Sequence, residues 1–178
     1  MVAKDKTMDA VALLKADHRK VAGLFEKFES AKGTARKRKL VEEICTELCV
    51  HTAIEEEIFY PACKGEVEED ALDEAYVEHD GAKALLAELI EATPSDAFYD
   101  AKVHVLAEMI EHHVKEEEKR SEGLFAQAKA AGLPVVDLGT RMQARKEKLT
   151  DAIKANGFPT LQTRSFSGHK MKQGHPVN

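Results

Sequence analysis

The apolar positions of this chain recur every three or four residues over four long stretches, and nowhere do they alternate with the period of two that marks a strand. The first stretch, about Asp9 to Ser30, sets Val11, Leu14, His18, Val21, Phe25 and Phe28 on one stripe and runs out near Gly33. Thr34 is placed to cap a second helix carrying Val41, Ile44, Leu48, His51, Glu55 and Ile58, which Pro61 should interrupt just after Tyr60. Past an acidic stretch around Gly65 to Asp70, a third helix carries Leu72, Tyr76, His79, Lys83, Leu86 and Ile90 and ends at Thr93-Pro94. Ser95 is expected to cap a fourth, with Val103, Leu106, Ile110, His113 and Glu117 on its inner stripe and a break around Gly123. Helices of twenty-odd residues joined by short loops predict an all-α, up-down-up-down four-helix bundle about 30–40 Å long. A short fifth helix, roughly Asp137 to Ala155, has Leu138, Met142, Leu149 and Ile153 on one side and is expected to lie across the bundle or on a partner subunit. From Phe158 the composition turns to Pro, Gly, Ser, Thr and basic residues, which predicts a flexible tail. The expected organisation is a bundle over 9–131, an accessory helix over 132–157 and a tail over 158–178.

Charge sharpens this picture. The net charge of −6 hides 11 basic against 5 acidic residues in 1–40, 7 against 24 in 41–133, and 8 against 3 in 134–178. Basic ends lying against an acidic middle account for that segregation. No aromatics are interleaved with the basic residues, so no nucleic-acid partner is expected. No apolar run reaches the roughly 18 residues of a membrane span, and MVAKDKTMDA has no hydrophobic signal segment, so a cytoplasmic protein without membrane attachment is expected. Three cysteines do not make a disulfide framework; Cys45 and Cys49, one turn apart, read as small buried thiols.

The informative residues are four histidines in places meant for oil. His18, His51, His79 and His113 each sit on the apolar stripe of a different helix, and Glu55 and Glu117 follow two of them by four residues, one turn along the same face. An unpaired carboxylate in a bundle core costs several kcal/mol, so something positive is required between them. Six imidazole and carboxylate donors on four helices are too many for one tetrahedral ion and suit two ions bridged by carboxylates, with iron, manganese or zinc all compatible. No Glu stands three positions before any of these histidines, where Lys15, Leu48, Tyr76 and Ile110 are found, which argues against a ferritin-like set. His104 and His112 fall on a polar face with Glu108 and Glu116. Glu56, Glu57 and Glu118 read as surface charges, with Glu56 and Glu116 near enough to support the ligands.

The order His18, HTAIE followed by EEIFYP, EHD at Glu78 to Asp80, and HHVKEEE at His112 to Glu118 resembles the hemerythrin-like (HHE cation-binding) family over about Asp9 to Ala131. The resemblance implies an up-down four-helix bundle with a non-haem di-iron centre. His18, His51, His79 and His113 would be its imidazole ligands, and Glu55 and Glu117 would bridge two Fe2+/Fe3+ ions beside an oxo or hydroxo group. Oxygen carriers of this family hold a further His one turn before the His-Asp pair. Here that position is Ala75, and Lys83 stands one turn after His79. Four His and two Glu would leave one iron with an open position, which suits activation of a ligand better than reversible carriage. The implied function is to bind, sense or detoxify O2, NO or peroxide in an apolar pocket lined by Leu14, Leu48, Leu86 and Ile110, with Tyr76 as a candidate donor to the ligand. The alternatives are catalase- or oxidase-like turnover at the same centre, or a metal-stabilised regulatory module whose fifth helix forms a homodimer or engages a protein partner.

Overall fold

Asp9 begins the first helix by accepting the Ala12 N–H on its Oδ1 at 2.8 Å, a cap worth about 1 kcal/mol. In the computed structural model, which describes residues 8–168, 171, 172 and 174, the elements in order are α1 (Ala10–Glu29), α2 (Thr34–Ile54), a π turn (Glu55–Phe59), α3 (Tyr60–Cys63), α4 (Glu69–Glu91), α5 (Tyr99–Glu117), α6 (Leu124–Ala130) and α7 (Val135–Asn156). α1, α2, α4 and α5 form the up-down-up-down bundle, each packed on its neighbours in the cycle. No strand occurs among the described residues, and no described helix is long and apolar enough to cross a membrane.

Two apolar layers fill the bundle. One gathers Val21, Leu24, Phe25 and Phe28 with Leu40, Ile44, Leu86 and Leu106. The other gathers Val11, Leu13, Leu14, Ile54, Phe59, Tyr60, Leu72 and Phe125 with Leu138 and Met142 of α7. Each fully buried Leu, Ile or Phe contributes about 1.5–3 kcal/mol, so the layers fix the helix register and with it the polar side chains held between them. α7 lies along α1 and α2 of its own chain. It approaches closely because Gly139 has no side chain: a Cβ there would stand 2.3 Å from the Met8 carbonyl oxygen.

Several local expectations change. Thr34 is the first residue of α2 rather than its cap, which is Gly33 with φ 84°. Ser95 lies in a turn closed by Asp96, whose Oδ2 accepts the Thr93 N–H at 2.7 Å, and α5 starts only after Phe98, at φ 64°. Pro61 does not end the second helix. Its ring would press on the Glu57 carbonyl in a regular α-helix, and the π turn relieves this by sending the Tyr60 N–H back five residues to the Glu55 carbonyl. The extra residue in that turn rotates the later stripe, so Phe59, Tyr60 and Cys63 are buried and Ile58 only half-buried.

The segment after α7 is not a loose tail over its described part. Phe158 and Leu161 pack on the first apolar layer. Asp80, fully buried, accepts the N–H groups of Arg164, Ser165 and Phe166 on one oxygen at 2.8, 2.6 and 3.2 Å, and the Ser165 hydroxyl at 2.7 Å. His169 and His175 lie outside the described residues.

Candidate metal centre

His18, His51, Glu55, His79, His113 and Glu117 are all brought together between the two apolar layers, none more than 6% exposed. Their inner atoms form a closed ring. His18 Nε2 lies 3.2 Å from His51 Nε2, which lies 3.1 Å from Glu55 Oε2. Glu55 Oε2 is 3.3 Å from His79 Nε2, and His79 Nε2 is 3.3 Å from His113 Nε2. Glu117 Oε2 closes the circuit at 3.4 Å from His113 Nε2 and 3.5 Å from His18 Nε2. Each carboxylate therefore stands between one histidine of the His18/His51 pair and one of the His79/His113 pair.

Donors that share an ion at about 2.0–2.2 Å, at tetrahedral or octahedral angles, sit about 3.0–3.5 Å apart, the spacing of this ring. His18, His51 and Glu55 form one group able to hold an ion, and Glu55, His79 and His113 a second, with Glu55 common to both. Glu55 Oε1 and Glu117 Oε2 are buried without a hydrogen-bond partner. A cation fits these atoms, and neutral packing does not explain them.

Protons show the same demand. Burial pushes Glu117 up, and the Glu55 charge pushes it further. Burial opposes ionisation of Glu55, but the His51 charge and the His51 and His79 hydrogen bonds hold it well below the usual range. For His51, burial is outweighed by the Glu55 charge and by Asp17, lifting it to about 10, whereas burial and the His51 charge drop His18 to about 4.

Behind each imidazole stands a carboxylate. His18 Nδ1 meets Glu118 Oε1 at 2.8 Å, His79 Nδ1 meets Glu56 Oε1 at 3.1 Å, and His113 Nδ1 meets Glu78 Oε2 at 2.7 Å. His51 Nδ1 faces Asp17 Oδ2 at 3.7 Å. The three hydrogen-bonded partners put the proton on Nδ1 and aim the Nε2 lone pair inward, while Asp17 faces His51 as a charge beyond hydrogen-bond length. Of this outer ring the sequence pointed to Glu56 alone as a support for the ligands; Glu116, named beside it, is not part of the ring. Glu56 and Glu118 are not surface charges, while Glu57 is, paired with Arg145 at 2.6 Å, and Glu116 pairs with Lys119 at 2.6 Å. His104 and His112 are exposed as expected, but their partners are Glu29 at 3.2 Å and Glu78 at 3.3 Å on other helices.

The hydroxyl at the centre belongs to Tyr60, not Tyr76. Tyr60 donates to Glu117 Oε1 at 3.0 Å and lies 3.2 Å from His79 Nε2, while Tyr76 is half-buried and edge-on against the Tyr60 ring at 5.1 Å. Burial and the Glu117 charge hold the Tyr60 hydroxyl well above its ordinary pKa, so it stays a donor. Of the expected apolar wall, Leu48 and Ile110 line a space of about 10 Å³ beside the four histidines with Val21 and Val114; Leu14 and Leu86 do not reach it. A larger cavity of about 160 Å³ is walled by Ala75, Glu117 and Leu124, by Glu68, Glu74, Glu78, Glu116 and Glu122, and by Lys119. The cysteines are free and buried, and burial raises Cys45 and carries Cys49 and Cys63 to about 12.

Comparison with known proteins agrees with the fold. A DNA nickase of Nostoc sp. (strain PCC 7120 / SAG 25.82 / UTEX 2576) is 28% identical over 62% of this chain, which spans only 32% of that protein. Protein Rv2633c of Mycobacterium tuberculosis (strain ATCC 25618 / H37Rv) is 27% identical over 88% of this chain and 94% of its own length. The crystal structure of an HHE cation-binding domain-containing protein, the Rv2633c homologue of Mycobacterium kansasii, superposes with a TM-score of 0.68 at 24% identity over 85% of this chain and 95% of that one, and so shares the fold. Residues 9–123 match the family model of the hemerythrin HHE cation binding domain, and all six inner donors lie within that span; the chain belongs to this family.

Proposed function

We propose that the chain holds two iron ions with His18, His51, His79, His113, Glu55 and Glu117, and that the centre binds and reduces a small uncharged ligand such as O2, NO or peroxide. The observation that carries this is the closed ring of six buried donors at 3.1–3.5 Å, with each carboxylate set between the two histidine pairs. The irons would supply electrons to the ligand. The chain supplies everything else.

The apolar space at Leu48 and Ile110, about 10 Å³, is at the lower limit for a single water, so it serves as a dry wall rather than a route. The cavity that reaches Glu117 passes Ala75, whose short side chain leaves that wall open. Its six glutamates outweigh the single Lys119, itself paired with Glu116, so the cavity repels anions and admits neutral molecules or cations, which favours O2, NO or hydrogen peroxide over superoxide or nitrite. The Tyr60 hydroxyl, 3.0 Å from Glu117 Oε1 and 3.2 Å from His79 Nε2, would be the proton donor to a ligand held at the centre. A proton donor at the centre favours turnover over reversible carriage.

Stopped-flow mixing of the reduced, iron-loaded protein with O2, NO and hydrogen peroxide tests this. One-way oxidation with at least one of them is expected. A stable oxygenated band that reverses under vacuum would replace turnover with carriage, and no reaction with any of the three would remove the ligand chemistry.

A further inference from the structure

Each carboxylate behind a histidine has a basic side chain behind it in turn. Lys15 pairs with Glu118 at 3.3 Å, His112 with Glu78 at 3.3 Å and Lys83 with Glu56 at 2.6 Å, all from helices of the bundle itself. Two more cations come from outside it. Lys146 of α7 pairs with Asp17, the carboxylate facing His51. Arg164, in the strap that follows α7, donates from Nε to Glu56 Oε2 at 2.6 Å, and Glu56 Oε1 meets His79 Nδ1 at 3.1 Å. Neither residue lies within the matched span 9–123. Their targets are not random: His51 and His79 belong to different histidine pairs, and both flank Glu55 Oε2, at 3.1 and 3.3 Å.

The strap is anchored independently of Arg164's side chain. Asp80, the residue after His79, takes four hydrogen bonds on one oxygen from Arg164 to Phe166. Lys83 Nζ donates to the Gln162 carbonyl at 3.0 Å. The guanidinium is thus delivered to Glu56 by backbone contacts on the same turn of α4 that carries His79.

We propose that the C-terminal extension is a positioning device for the metal centre, in which Lys146 and Arg164 draw negative charge from Asp17 and Glu56 and so raise the reduction potential of the ions held by His51 and His79. A carboxylate on Nδ1–H makes an imidazole a stronger donor to its metal. A cation on the far side of that carboxylate competes for its charge, the imidazole donates less, and the oxidised ion is stabilised less. The proposal rests on the di-iron reading given above.

The test is a spectroelectrochemical titration of the iron-loaded full chain and of Lys146→Met, Arg164→Gln, the double variant, and the charge-preserving Lys146→Arg and Arg164→Lys. Each neutralising change is expected to lower the midpoint potential by about a tenfold change in equilibrium constant, about 59 mV for a one-electron step. The double variant should fall by about the sum, and the charge-preserving variants should stay near wild type. Arg164 has a side chain 53% exposed, so its replacement leaves the core intact and keeps the test readable. Equal potentials at full iron content overturn the inference, as does a fall that Arg164→Lys shares with Arg164→Gln. A wild-type chain that takes up no iron would instead sink the di-iron reading, a separate and distinguishable failure.

Discussion

Stripping the metal should destabilise the whole bundle, by an amount the centre itself sets. Glu55 and Glu117 are 0% and 2% exposed, and Glu55 Oε1 and Glu117 Oε2 have no hydrogen-bond partner. A buried acceptor left unsatisfied costs about 1–3 kcal/mol, so the two together cost about 2–6 kcal/mol. Protons replace part of what the ions supply, since Glu117 is pushed toward its neutral form and His51 is held charged beside Glu55, which brings the expectation to about 2–4 kcal/mol. For a chain of this size that is about 4–16 °C in Tm. Thermal unfolding followed by circular dichroism, before and after chelation and again after ferrous iron is restored, reads it directly. The double variant Glu55→Leu/Glu117→Leu removes both carboxylate donors, so its Tm should not respond to added iron. A wild-type Tm that is the same with and without metal would refute the reasoning, and so would a double variant that iron still stabilises.

Metal uptake should also expel protons. His51, at about 10, and Glu117, at about 8, both hold protons at pH 7 in the metal-free centre, so ligation must displace them. Groups with raised pKa bind protons below that value; the competing proton therefore gains as pH falls, and iron affinity should rise with pH. Calorimetric titration in buffers of different ionisation enthalpy should give more than one proton released per chain, and zero release would contradict the charge pattern. Tyr60→Phe keeps the ring against Tyr76 but removes the hydroxyl 3.0 Å from Glu117. Iron content should be unchanged, while reduction of peroxide should slow about 100-fold, the low end for a lost general acid; an unchanged rate would dismiss Tyr60 as the donor.

The bundle was legible because four stripes of period 3.6 stand between clear breaks, and the inner donors because histidine and glutamate on those stripes contradict their surroundings. Long-range partners were not legible. Adjacent residues such as Glu78 and His79 diverge by about 100° on a helix, so nothing in the sequence says that Glu78 supports His113 on the next helix while Glu56 supports His79. Tyr60 was hidden by the π turn, which moves the inward stripe by one position; the signal available was Pro61 just after three glutamates in an otherwise continuous helical pattern. The strap was misread because its composition is that of a loop. What fastens it is backbone N–H groups on Asp80, and those carry no sequence signature.

The central claim is that six buried side chains converge to receive two metal ions. Elemental analysis of the full chain after ferrous loading and gel filtration, with His51→Ala, Glu117→Ala and His104→Ala beside wild type, tests it most directly. Wild type and His104→Ala should carry about two irons per chain, and His51→Ala and Glu117→Ala about one or fewer. Equal iron in all four proteins, or none in wild type, would contradict the claim.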